Sequence, residues 1–592
     1  MNKKMRRGSA AVALGAVASL VLAACGGGSN SSSGGSSTGS GTFNQASKGW
    51  VNQSSHTGGT LRMLRTGDFD SLDPGNMYYA TAWNFSRLYA RPLLTFKSQP
   101  GDASLDIVPD LATGKGEASA DLKTWTYKLK PGAKYADGTA VKAADVKYAV
   151  ARSNYSPEVM EKGPVYFRQY LLNPNGYKGP YKDKNLDDFK GVTTPDDQTV
   201  VFHLTQPFAE FDYLATIPQT APVPQAADVG AKGGVNYTKY VVSTGPYKID
   251  SYEPGKSIAL SKNTNWDASS DPERKQAVDK ITVQLGVSAD EVDNRQLSGD
   301  AEIDVQGNGV NAAARSKILS DPKLKKNADN PNSGFLWYTA ISHLVAPFDN
   351  LHCRKAVQYA VDKTAYQAAY GGESGGDVAT SVLPPSIKGH QSFDLYQTPG
   401  SKGDVTKAKA ELTQCGKPNG FSTNISYRSE RPKEKAAAES VKASLARVGI
   451  TVNIKNYPED GYTGGVVGSP TFVKKNQLGL MVYGWAADFP SGFGFLQQIT
   501  DPGALKATGS SNISNITDPA IRKAFQDVTS LKDEAAREKV YGDIDKLVMQ
   551  DASIIPMLYA KNLYYRTPNL ANVFINYGFS GMYDYANLGL SK

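Results

Sequence analysis

Cysteine is scarce in this chain, with 3 among 592 residues, which excludes a disulfide-dense scaffold or a cysteine-rich metal module. Histidine is nearly as rare. His56, His203, His343, His352 and His390 fall in no metal-binding spacing such as His-Glu-x-x-His. A strong charge of one sign is missing as well. The formal +8 includes Lys3, Lys4, Arg6 and Arg7 of an N-terminal leader, so the remainder is close to balanced. No basic run is interleaved with aromatics, and nucleic acid is not expected as a partner. Beyond Leu22 no apolar run reaches membrane length. Gly372-Glu373-Ser374-Gly375-Gly376 fits the Gly-x-Ser-x-Gly form of a hydrolase elbow, yet it follows a helical run ending at Tyr370 instead of a strand, the wrong context for a nucleophile. Catalysis, a cofactor and a metal are therefore not expected.

The N-terminus supplies the first positive signal. Basic residues precede an apolar run from Ala10 to Leu22, which reads as a signal peptide over residues 1–24. Leu22-Ala23-Ala24-Cys25 resembles a bacterial lipobox. That resemblance implies a lipidated Cys25 as the first mature residue and a membrane anchor on the extracellular face; an ordinary cleavage site beside an incidental cysteine is the alternative. Residues 25–57 carry GGGSNSSSGGSSTGSG directly after Cys25 and are expected to be a linker without a core. As a flexible coil it would reach on the order of 30 Å. Tyrosine is abundant at 32 residues, which suits strand packing, an aromatic binding cleft, or both.

The most informative stretch runs from Leu122 to Arg152. Trp125, Tyr127 and Leu129 alternate with Thr126, Lys128 and Lys130, the period-2 pattern of a half-buried strand. Pro131-Gly132 and Asp137-Gly138 supply turns, and Val146, Ala149 and Val150 recur at helical spacing. The succession Tyr127-Lys128-Leu129, Gly132, Tyr135-Ala136-Asp137-Gly138-Thr139 and Ala143-Ala144-Asp145-Val146 resembles the signature of solute-binding proteins of oligopeptide and dipeptide ABC importers, solute-binding family 5, here of an actinobacterial lipoprotein type. Lys142 stands where that family usually has a capping Thr, so the helix is expected to survive but to be about 1 kcal/mol weaker. Further blocks follow in family order. They are Leu72-Asp73-Pro74, Ser243-Thr244-Gly245-Pro246-Tyr247, Leu297-Ser298-Gly299 through Ile303-Asp304, Pro347-Phe348-Asp349, and Ala360-Val361-Asp362-Lys363. The resemblance extends from about Gly58 to the C-terminus.

It implies an α/β, two-lobed periplasmic-binding-protein-like fold (type II, cluster C). Lobe one would span 58–335, with a subdomain near 99–207 and a return segment at 560–592; lobe two would span 336–559. Such lobes close on a ligand. Tyr483-Gly484-Trp485-Ala486-Ala487-Asp488 resembles the family segment whose Asp pairs with a peptide's α-amino group while the backbone at Gly484, Trp485 and Ala486 pairs with the peptide as an added strand. A turn carboxylate at Asp488 and plain core packing of Trp485 are the alternatives. Tyr79, Ala80, Thr81, Ala82 and Trp83 form the equivalent loop of lobe one. Arg428 or Arg431 is a candidate for the ligand carboxylate, or else a helix-entry salt bridge. Cys353 and Cys415 occupy positions that are small and apolar in other members, which implies a disulfide, two separately buried thiols being the alternative. The expected partners are a peptide ligand, ABC permease subunits and the membrane, with the protein itself a monomer. Relatives of this fold also take nickel complexes, haem, oligosaccharides or modified amino acids.

Overall fold

The computed structural model describes residues 43–459 and 461–592; the expected signal peptide and Cys25 lie outside the described residues. The alternating stretch forms the strand Thr124–Lys128, with Trp125 and Tyr127 buried and Thr124 and Thr126 facing outward. It lies in a four-stranded sheet, in the order Glu117–Ala118, Thr124–Lys128, Thr199–His203 and Val192–Thr193. Phe167 and Phe211 pack against its buried face, each on the ring of Phe202. The helix Ala143–Tyr155 begins as the sequence suggests, with half a capping box. Asp145 Oδ2 accepts from the Lys142 N–H at 2.9 Å, but a lysine side chain has no acceptor to return the bond. Its Arg152 is wholly buried between Asp73 (2.7 and 3.0 Å) and Asp228. Two sequence blocks some 80 residues apart are thereby tied together.

The remainder of lobe one is a five-stranded sheet ordered Ile303–Asp304, Thr60–Leu64, Lys280–Gln284, Ser257–Lys262, Tyr247–Glu253. Lobe two is built on a six-stranded sheet ordered Gly376–Val378, Ile554–Lys561, Asn332–Ile341, Leu478–Ala486, Ser422–Arg428, Thr451–Tyr457. The chain enters this sheet at 330–332 and leaves it at 561–563, along the adjacent antiparallel strands Asn332–Ile341 and Ile554–Lys561. On the lobe-one side, Ala328–Asp329 pairs with Tyr564–Tyr565. The two crossings therefore run side by side.

One expected boundary shifts. Residues 43–57 belong to the folded body rather than to the linker. Val51 and Val573 exchange two backbone bonds (2.7 and 3.0 Å), Ala46 is fully buried, and the Trp50 ring lies 4.3 Å from that of Phe574. The low-complexity composition ends before Phe43, and the apolar residues after it find a place on lobe one.

Cys353, in the helix Leu351–Ala360, is joined to Cys415, which ends the helix Val405–Gln414. The Cα–Cα distance of 5.2 Å suits a disulfide. Gly416 then takes the left-handed conformation that stops the helix. With a sequence separation of 62, loop-closure entropy suggests about 4 kcal/mol of stabilisation. Peptide mapping without reductant is expected to recover the Cys353 and Cys415 peptides as one linked species, and reduction should lower the melting temperature. Two freely alkylated thiols in natively purified protein would rule the bond out.

Candidate ligand cleft

The strand Leu478–Ala486 reads as a continuous apolar run because it is buried on both faces up to Val482. One edge pairs along its length with the crossing strand, from Ile341↔Leu480 to Phe335↔Ala486. The other edge pairs with Ser422–Arg428 only as far as Ser426↔Met481. Past that point, among the described residues, the edge from Val482 to Ala486 has no strand partner. Instead the short π-helix Tyr462–Val467 approaches it, with Thr463 Oγ1 2.8 Å from the Tyr483 hydroxyl. An open edge of this kind presents backbone donors and acceptors at strand spacing. Gly484 is required here, since a Cβ would come within 2.3 Å of the Phe335 ring. Trp485 is half-buried and its indole N–H donates to Phe495 O at 2.8 Å, which fixes the ring beside the strand.

Asp488 follows two residues after the strand. Its carboxylate accepts from the hydroxyl of Tyr78, at 2.8 Å, and from that of Tyr166. Both tyrosines belong to lobe one, so this one carboxylate is held across the interface between the lobes. No cation pairs with it among the described residues. Burial pushes its carboxyl above the ordinary carboxylate range, and the two hydroxyl bonds offset part of that. Tyr78 sits just before the helix Ala80–Ser86, where Asp70 Oδ2 accepts from the backbone N–H groups of Tyr78 and Tyr79 and holds the loop.

Asp488 opens onto a cavity of about 530 Å³, which adjoins a second chamber of about 690 Å³. The two share Tyr79, Ala80, Ser333, Phe335, Ala486 and Ser580. Each is of the size that takes a small ligand. Tyr483, Gly484, Trp485, Ala486 and Asp488 all line the first chamber, as do Tyr79, Ala80 and Trp83, while Thr81 lines the second. Ala82 lines neither and is buried in the core. Trp83 is mostly buried, with its indole N–H on Met77 O at 3.1 Å. The arginines divide. Arg428 lines neither chamber; it pairs with Glu434 and its guanidinium lies 5.5 Å from the Tyr483 ring centre. Arg431 lines the second chamber but is engaged by Glu459, with a second carboxylate, Glu434, at 3.7 Å. Sequence reasoning missed Tyr78 and Tyr166. Tyr78 adjoins a loop already singled out, whereas nothing local to Tyr166 marks it; it reaches Asp488 through tertiary packing. Ser374 sits in a 3₁₀ turn, Gly372–Ser374, with its hydroxyl on Gly371 O at 3.0 Å, and not at a strand-to-helix elbow.

Two α/β lobes joined by paired crossing strands, with a cleft between them, define a two-lobed solute-binding protein. The family model described as "Bacterial extracellular solute-binding proteins, family 5 Middle" matches residues 106–506, and the chain belongs to that family. Among curated relatives, the probable D,D-dipeptide-binding periplasmic protein DdpA of Escherichia coli (strain K12) is 25% identical over 514 residues, covering 84% of this chain and 88% of its own. Heme-binding protein A of Haemophilus influenzae is 25% identical over 513 residues, covering 83% and 85%. Among solved structures, clavulanic acid biosynthesis oligopeptide binding protein 2 aligns with a TM-score of 0.88 at 37% identity, covering 93% of this chain and 99% of that one. These relatives are named as binding proteins. No helix among the described residues is long and apolar enough to cross a membrane.

The raised carboxyl of Asp488 has a consequence for stability. The folded protein binds this proton more tightly than the unfolded chain, so the group's contribution is complete below the ordinary carboxylate pKa and is lost as pH rises through the raised value. The ligand-free Asp488→Asn protein, which carries no charge there, is expected to melt at or above the wild-type temperature at pH 7. The difference should shrink toward about pH 4. A variant that melts below wild type, by the same margin at both pH values, would contradict this reading.

Proposed function

We propose that the protein is the capture component of an ABC importer that binds peptides bearing a free amino terminus. Cys25 would carry the lipid that holds it on the extracellular face, and permease subunits would receive the cargo. The observation that carries this reading is Asp488, a partly buried carboxylate met by neutral hydroxyls alone, two residues beyond an open strand edge. A peptide supplies both missing partners. Its ammonium provides the cation, and its main chain provides the donors and acceptors that Gly484 to Ala486 can pair with whatever the side chains. Ligand contacts to both lobes then favour the closed arrangement over an open one. The names of the dipeptide-binding and oligopeptide-binding relatives support the same class of ligand.

The heme-binding relative raises a second reading, a flat apolar solute. Phe335 and Trp337, whose rings lie 4.8 Å apart beside the chambers, would suit one. Such a ligand would leave Asp488 and the strand edge without partners, and the peptide reading accounts for both.

Calorimetric titration with matched free and N-acetylated peptides distinguishes the two readings. Wild type is expected to bind the free form at least about thirtyfold more tightly, since stranding one partner of a buried charge pair costs on the order of 2–5 kcal/mol. Asp488→Asn should lose most of that discrimination. Affinity for the free peptide should also fall as pH is lowered through the raised carboxyl pKa, because the protonated acid no longer offers a charge. Equal wild-type affinity for the two peptide forms would refute an amine at Asp488.

A further inference from the structure

We infer that the second chamber receives an anionic group of the ligand, for a peptide its terminal carboxylate, and that Arg65 of lobe one is the residue that meets it. This assignment rests on the peptide reading above and adds the orientation and the far end of the ligand.

Arg65 lines the second chamber, close after the strand Thr60–Leu64, and is 5% exposed. Its Nη1 donates to Val305 O at 2.6 Å, and its guanidinium lies 4.2 Å from the Phe69 ring centre. Its Nε is buried without a partner. No carboxylate forms a salt bridge with it among the described residues, and Nη2 has no hydrogen-bond partner there. A guanidinium stays charged at any physiological pH, and burying it without an anion is costly.

Asp68, Asp70 and Asp304 lend Arg65 opposing charge from a distance, but none of them makes a hydrogen bond or salt bridge to it. Asp68 accepts from the Phe69 N–H at 2.8 Å, from the Tyr252 hydroxyl at 2.9 Å and from the Gly255 N–H at 2.7 Å. Asp70 gives one oxygen to the backbone of Tyr78 and Tyr79, while its other oxygen is buried without a hydrogen-bond partner and makes no salt bridge to Arg65. Asp304 accepts from the Gln306 N–H at 2.8 Å, and burial pushes its carboxyl up to about 7, so near neutrality it supplies only part of a counter-charge. Across the chamber, Arg431 is already engaged by Glu459. Arg65 is thus the cation of this chamber that has no directly paired carboxylate among the described residues.

The first chamber holds the complementary defect, an anion without a cation, at Asp488. The two chambers adjoin through Tyr79, Phe335 and Ala486. An amine in one and a carboxylate in the other describe a dipolar ligand laid along the strand edge from lobe two toward lobe one. The fork of a guanidinium matches a carboxylate in two parallel bonds.

The test uses the whole mature protein and two equimolar libraries of tri- and tetrapeptides with free amino termini, one with free C-terminal acids and one C-amidated, read by native mass spectrometry and then by titration of retained pairs. Wild type is expected to prefer the acid at least about tenfold. Arg65→Gln should lose that preference while still rejecting N-acetylated peptides, and Arg65→Lys should keep part of it. Thermal melting checks that the variants fold; should Arg65→Gln not fold, the wild-type preference and the Arg65→Lys protein decide. Equal wild-type binding of acid and amide, with N-acetyl rejection intact, overturns the carboxylate assignment alone. So does an acid preference that survives in Arg65→Gln. Binding of neither library would overturn the peptide reading and this inference together.

Discussion

An ionisable group partly withdrawn from water is neutralised, paired or given donors, and Asp488 is given donors that carry no charge. Two tyrosine hydroxyls from the opposite lobe hold its oxygens, and burial still raises its carboxyl. The cleft depends on this incomplete solution. The strand Leu478–Ala486 ends two residues before Asp488, Gly484 keeps that strand close to Phe335, and Asp70 holds the loop that presents Tyr78. Each feature positions a carboxylate that a cation would satisfy better.

The same geometry couples the site to the arrangement of the lobes. Asp488 lies in lobe two and its donors in lobe one, so anything that replaces those hydroxyls acts at the interface. Nearby the lobes are joined by further contacts. Glu210 accepts from Ser491 at 2.7 Å and from Tyr541 at 2.8 Å, and Tyr213 stacks on Phe489 at 5.1 Å. Glu210 is buried, which raises its carboxyl, while the two hydroxyl bonds and Arg537 oppose the shift. With the chain crossing twice along adjacent strands, opening and closing would be borne by residues 330–332 and 561–563, at the edge of the second chamber, which Asn562 lines.

Much of the fold was legible in the sequence because its signals are local. Alternation at Trp125 and Tyr127, the Asp-Gly turn and the helical spacing after Ala143 need no tertiary information, and the structure forms the elements they describe. The cysteine pair was legible from resemblance. Three things were not. The segment 43–57 carries few apolar residues, and Val51 becomes structural only because Val573, more than 500 residues away, offers an edge to pair with. Arg428 and Arg431 look alike in sequence; their carboxylate partners, Glu434 and Glu459, separate them. Tyr166 and Arg65 carry no motif, and only the packed chain brings Tyr166 to Asp488 and Arg65 to the second chamber.

The most direct test is a crystal structure of the protein with a bound peptide whose amino terminus is free. On the peptide reading, the ligand nitrogen lies within hydrogen-bond distance of Asp488, and the ligand main chain pairs with the edge of Gly484 to Ala486. A ligand whose amine points away from Asp488, or that leaves this strand edge unpaired, would contradict it.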